Sequence, residues 1–70
     1  MGDWVSVTSS SLSRIRWDEQ TSTLEVEFLG GRVYQYFDVP EGVFTAFLQA
    51  NSHGTFFAQN IRGHYRYVQL

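Results

Sequence analysis

Two tyrosines spaced two residues apart, Tyr34 and Tyr36, and two arginines at the same spacing, Arg14 and Arg16, are the side chains here whose chemistry best suits ligand recognition. On a strand that spacing puts both members of each pair on one face. Exposed tyrosines stack on unpaired bases at about 1–3 kcal/mol per base, and arginine forks match phosphate geometry. The same residues also have a plainer use. Tyrosine is a favoured strand residue that covers its neighbours' stems, and arginine beside glutamate forms ordinary cross-strand ion pairs. A second constellation is Ser52-His53-Gly54-Thr55, where N–H groups at a helix start could draw an anion towards Gly54, supported by His53 and Arg62. Against it stands a simple capped helix after a turn, the better-supported reading because no glycine-rich phosphate loop or lysine accompanies the motif. The serine run Ser9 to Ser11 has no base placed beside it and no nucleophile-elbow pattern, so the chain is not expected to be an enzyme. The carboxylates lack metal-ligand spacing, Asp38 reads as a turn or cap residue, and two histidines without a cysteine are too few for zinc. Neither a metal nor a cofactor is expected.

The elements that must position these residues follow from patterning. Val5 and Val7 alternate with polar residues, and Leu12, Ile15 and Trp17 lead to a turn over residues 18–22. Leu24, Val26 and Phe28 alternate strictly with Glu25 and Glu27, as in a strand with one face on the core and one in water. Gly30-Gly31 is read as a two-residue hairpin turn, which pairs Phe28 with Val33, Glu27 with Tyr34 and Glu25 with Tyr36. That register puts Tyr34 and Tyr36 on the glutamate face, and matching Ile15 and Trp17 to the apolar face adds Arg14 and Arg16 to it. The expected outer face is therefore a mosaic of Arg14, Arg16, Glu25, Glu27, Tyr34 and Tyr36.

After Pro40, which suits a first helical turn, Val43, Phe44, Phe47 and Leu48 form a helical stripe. Ser52 caps a second short helix carrying Phe56, Phe57 and Ile61, and Gly63 stops it. Residues 65–70 alternate again as a strand returning to the sheet edge. The expectation is an α+β fold: a small antiparallel β-β-β sheet, two short helices and a C-terminal strand, with Phe28, Phe37, Phe44, Phe47 and Phe57 buried.

Composition sets the limits. Seventy residues suffice for one domain, residues 1–70, whose core must be built from aromatics, since six Phe, four Tyr and two Trp stand in for absent disulfides. No apolar run is long enough to span a membrane and no secretory signal opens the chain, which suggests a cytoplasmic setting. Five arginines, no lysine and seven carboxylates leave a net charge of −2, which argues against the basic footprint of a duplex-binding protein.

Taken together, these residues resemble the KTSC family. Val7 to Ser10 with Leu12, Ile15, Trp17 and Asp18 is similar to its opening; Gly31, Tyr34, Tyr36, Val39 and Pro40 match its tyrosine-x-tyrosine and valine-proline signature; Ala50, Ser52, Gly54, Phe57, Ile61 and Tyr65 fall at its spacing. Trp17 departs from the family's usual tyrosine. The family is named for its place at the C-terminus of some lysyl-tRNA synthetases and also occurs as stand-alone bacterial proteins. The resemblance implies an RNA-binding module, by analogy. Two function classes remain: a binder of single-stranded or structured RNA centred on Tyr34, Tyr36, Arg14 and Arg16, or a protein-interaction module using an open sheet edge.

Overall fold

The computed structural model describes all residues, 1–70. Five strands and two helices follow in the order β1 (Val5–Ser6), β2 (Leu12–Asp18), β3 (Thr23–Phe28), β4 (Val33–Tyr36), α1 (Glu41–Gln49), α2 (His53–Phe56), a π-helical segment Phe57–Ile61, and β5 (Tyr67–Gln69). The strands form one antiparallel sheet in spatial order β1-β2-β3-β4-β5, with the helices packed on a single face. This is the expected α+β fold with one strand more, because Val5–Ser6 pairs with Ile15 and Arg14 at the sheet edge.

The faces of β2 are as expected, with Arg14 and Arg16 on the glutamate side, and the register sets Arg14 opposite Glu27, Ile15 opposite Val26 and Arg16 opposite Glu25. The β3–β4 register is not as expected. The Gly31 N–H donates to the Phe28 carbonyl at 2.9 Å and the Phe28 N–H to the Arg32 carbonyl at 2.8 Å, so the loop holds three residues, Leu29, Gly30 and Gly31. Both glycines take positive φ, 105° and 95°, which a residue with a Cβ rarely adopts. Phe28 thus pairs with Arg32 rather than Val33, and the ladder runs Glu27 with Val33, Val26 with Tyr34, Glu25 with Gln35 and Leu24 with Tyr36. One extra loop residue turns every β4 side chain to the other face. Tyr34 and Tyr36 lie on the inner face with Leu24 and Val26, and Gln35 takes the place beside Glu25.

The core comprises Leu12, Ile15, Leu24, Val26, Tyr36, Val39, Phe47, Phe57 and Ile61. Of the five phenylalanines expected inside, Phe47 and Phe57 are buried, whereas Phe28, Phe37 and Phe44 are half-buried. Phe44 stacks on Trp17 with ring centroids 5.9 Å apart, and Phe37 lies on the outer face beneath Arg66. Trp17 donates its indole N–H to the Val39 carbonyl at 2.9 Å, anchoring the chain just before α1. Ser52 caps α2 as expected, its Oγ accepting the Thr55 N–H at 3.2 Å, and Gly63 ends the helical run at φ 80°. No helix is long and apolar enough to cross a membrane.

Candidate functional site

The helical layer stops short of the last two strands. Where Phe57 and Arg62 end it, the inner faces of β4 and β5 remain open as a groove of about 320 Å³ lined by Phe28, Arg32, Tyr34, Tyr36, Phe57, Arg62, Gly63 and Tyr67. Its floor is built by strand alternation. Tyr34 and Tyr36 project from one face of β4, Arg32 precedes the strand at the same spacing, and β5 places Tyr67 directly opposite Tyr36. Tyr34, Tyr36 and Tyr67 form a triangle with centroid separations of 6.4, 5.9 and 5.6 Å. Phe57 meets Phe28 and Tyr36 edge-on at 5.3 and 5.7 Å and closes the groove on the helical side. Tyr36 is buried, whereas Tyr67 is 58% exposed, so the outer rim of the triangle is free to be stacked upon. Burial, reinforced by the neighbouring tyrosines, pushes the Tyr36 hydroxyl up to about 12, so it stays a protonated donor.

Charge sets this groove apart. Three of the five arginines are engaged by carboxylates: Arg14 with Glu27 and Arg16 with Glu25, each at 2.8 Å, and Arg66 with Asp38 at 3.4 Å. Arg32 and Arg62 make no ion pair, and both line the groove, from which acidic residues are absent. Arg62 lies 5.4 Å from the Phe57 ring centroid, a cation–π contact that holds the guanidinium at the rim without neutralising it. A locally cationic aromatic cleft therefore sits on a chain of net charge −2.

The outer face, where recognition was expected, is built differently. Arg14 grips Glu27 with two bonds, Nε to Oε1 at 2.8 Å and Nη2 to Oε2 at 3.2 Å. Glu25 is only 4% exposed and accepts from Arg16 Nε and Gln35 Nε2, both at 2.8 Å. Trp4 lies over both guanidinium groups, at 4.4 and 4.2 Å. The structure thus separates the expected quartet, placing Tyr34 and Tyr36 in the groove and Arg14 and Arg16 behind the sheet.

The second constellation is divided too. Ser52, His53 and Gly54 border a polar cleft with Ser9 and Ser11, but Arg62 belongs to the aromatic groove. Ser9 Oγ accepts the N–H groups of Ser11 and Leu12, both at 3.1 Å, which explains the serine run as a turn. A Cβ on Gly54 would lie 3.2 Å from Ser11 Oγ, so this glycine lets α2 approach that turn closely.

Arg32, Phe28, Phe57 and Tyr67 are the groove residues that sequence reasoning did not place in a site, and Arg62 was assigned to the anion site at Ser52–Thr55 instead. A signal for Arg32 and for the inward turn of the tyrosines was present: Gln35, the one polar residue within β4 besides its tyrosines, belongs beside the glutamates, and placing it there turns Arg32, Tyr34 and Tyr36 inward.

A five-stranded antiparallel meander with its helices on one face defines a small two-layer α+β domain. The KTSC domain model matches residues 8–65, and the chain belongs to the KTSC family. The crystal structure of a KTSC domain protein from Yersinia pestis superposes with a TM-score of 0.91 at 33% identity, covering 97% of this chain and 96% of that one. An uncharacterised protein of Stutzerimonas stutzeri is 44% identical over 67 residues, 94% of each chain. The lysine-tRNA ligase of Trichormus variabilis is 39% identical over 61 residues, 87% of this chain but 11% of the ligase.

Proposed function

We propose that this protein is a non-enzymatic RNA-binding module that holds unpaired bases in the groove between β4, β5 and the end of the helical run. The observation that carries this reading is the placement of both unpaired arginines, Arg32 and Arg62, around the Tyr34, Tyr36 and Tyr67 rings with no carboxylate among the lining residues. Rings supply sequence-tolerant stacking and guanidinium groups supply phosphate contacts, the two parts of a single-strand site. A further support is the setting of the domain in relatives named lysine-tRNA ligase, where it occupies 11% of the chain, a size suited to an RNA-holding appendage. Tyr34 and Tyr36 remain in this proposal; Arg32 and Arg62 replace Arg14 and Arg16 as its cations.

The test is titration of labelled single-stranded RNA into the wild type and into Arg32→Ala/Arg62→Ala at low salt. Neutralising one to two phosphates gives a log–log salt slope of about −0.7 to −1.4, and the double variant should lose most of it along with the affinity. If the wild type binds no RNA at low salt, a protein partner added to the edge strand β5, which carries exposed Tyr67 and Val68 and is followed by exposed Leu70, takes its place.

A further inference from the structure

We infer that the groove takes one nucleotide at a time, an unstacked base on Tyr34 and Tyr67 with its phosphate held by Arg32 and Arg62, rather than a run of stacked bases. The inference rests on the RNA-binding reading and adds the unit of recognition. It follows from the disposition of the rings. Tyr36 is 5% exposed and forms the floor, which leaves Tyr34 and Tyr67 as the stacking surfaces. Their planes are inclined by 42° at a centroid distance of 5.9 Å, so they form a corner, whereas successive stacked bases need platforms set side by side along a track.

The groove is also small, with Phe28, Arg32, Phe57 and Arg62 lining it beside the tyrosines. A volume of about 320 Å³ lies at the lower end of the range for small-molecule sites. Beyond it no further unpaired cation is available for a second phosphate. Arg66, the next arginine, is bonded to Asp38 at 3.4 Å and lies over Phe37, on the opposite face of the sheet from Tyr34 and Tyr36. The ligand chemistry is therefore a nucleoside phosphate, either free or looped out of an RNA chain.

Calorimetric titration at low salt with uridine 5′-monophosphate, uridine, inorganic phosphate and a hexauridylate tests this. The monophosphate should bind at least about tenfold more tightly than either uridine or phosphate, since stacking and charge-assisted bonds are both required. The hexamer, after correction for its repeated units, should match the monophosphate within about threefold. Arg32→Gln/Arg62→Gln, both at exposed positions, should remain folded and bind monophosphate and uridine equally. A hexamer more than about tenfold tighter per unit than the monophosphate, or binding by the hexamer alone, overturns the single-nucleotide inference and leaves the RNA-binding reading standing. Equal binding of phosphate and monophosphate overturns it as well, and absence of binding by every nucleotide ligand overturns both.

Discussion

On the outer face of the sheet Arg14 and Arg16 are held between a tryptophan ring and two carboxylates, whereas on the inner face Arg32 and Arg62 lie beside aromatic rings with no carboxylate in reach. Both regions combine arginine with aromatic side chains, and residue type alone does not distinguish them. Partnership does. A guanidinium group whose fork and charge are already matched by a carboxylate would have to give up a favourable pair to grip a phosphate in the same way. The outer cluster is therefore part of what holds the sheet together, and the groove is the part still able to bind. The lesson is that a cation's candidacy is judged by what already satisfies it.

The largest expected effect separates the covered half of the inner face from the open half. Phe47 is fully buried and stacks on Phe56 at 5.2 Å, so Phe47→Ala should cost about 3–5 kcal/mol, much of the roughly 4–10 kcal/mol available to a chain this short. Tyr67→Ala, in the open half, should cost far less. Urea unfolding of both variants checks the contrast, and comparable losses would show that the groove is core and not a site.

A smaller effect should divide the two arginine environments. Glu25→Ala leaves Arg16 and Gln35 without their shared acceptor and should cost about 1–3 kcal/mol, while Arg32→Ala and Arg62→Ala should each stay within about 0.5 kcal/mol. Melting temperatures rank the three variants. A groove arginine as costly as Glu25 would mean that it, too, is structural.

An effect confined to one pH window appears at alkaline pH. Tyr36 has its ionisation raised from 10.0 to about 12, so below pH 10 both folded and unfolded chains keep the proton and the stabilisation is complete. Between about pH 10 and 12 the unfolded chain releases the proton first, and stability falls by at most about 2.7 kcal/mol, less to the extent that the hydroxyl meets groove water. Tyr36→Phe should abolish that component of the alkaline loss. An unaltered pH profile in the variant would place the Tyr36 hydroxyl in ordinary solvent.

Much of the fold is written in short-range pattern. The alternation of Leu24, Val26 and Phe28 with Glu25 and Glu27 determined β3 and its faces, the Pro40–Glu41 start and the Phe44/Phe47 stripe determined α1, and Ser52 and Gly63 determined the ends of the following helical run. The pairing of Arg14 and Arg16 with the glutamates was legible for the same reason, since a period of two sorts charges onto one face. Only the tertiary structure decided the loop length at Leu29-Gly30-Gly31. Two- and three-residue loops both accept glycine at positive φ, yet they differ by one residue in register, and one residue inverts β4. Within that strand Val33, Tyr34, Gln35 and Tyr36 are weakly contrasted, so the inner face was decided by where Tyr36 could pack against Phe57 and where Gln35 could reach Glu25. Arg62 joins that groove from nearly thirty residues further along the chain, a proximity that no spacing in the sequence encodes.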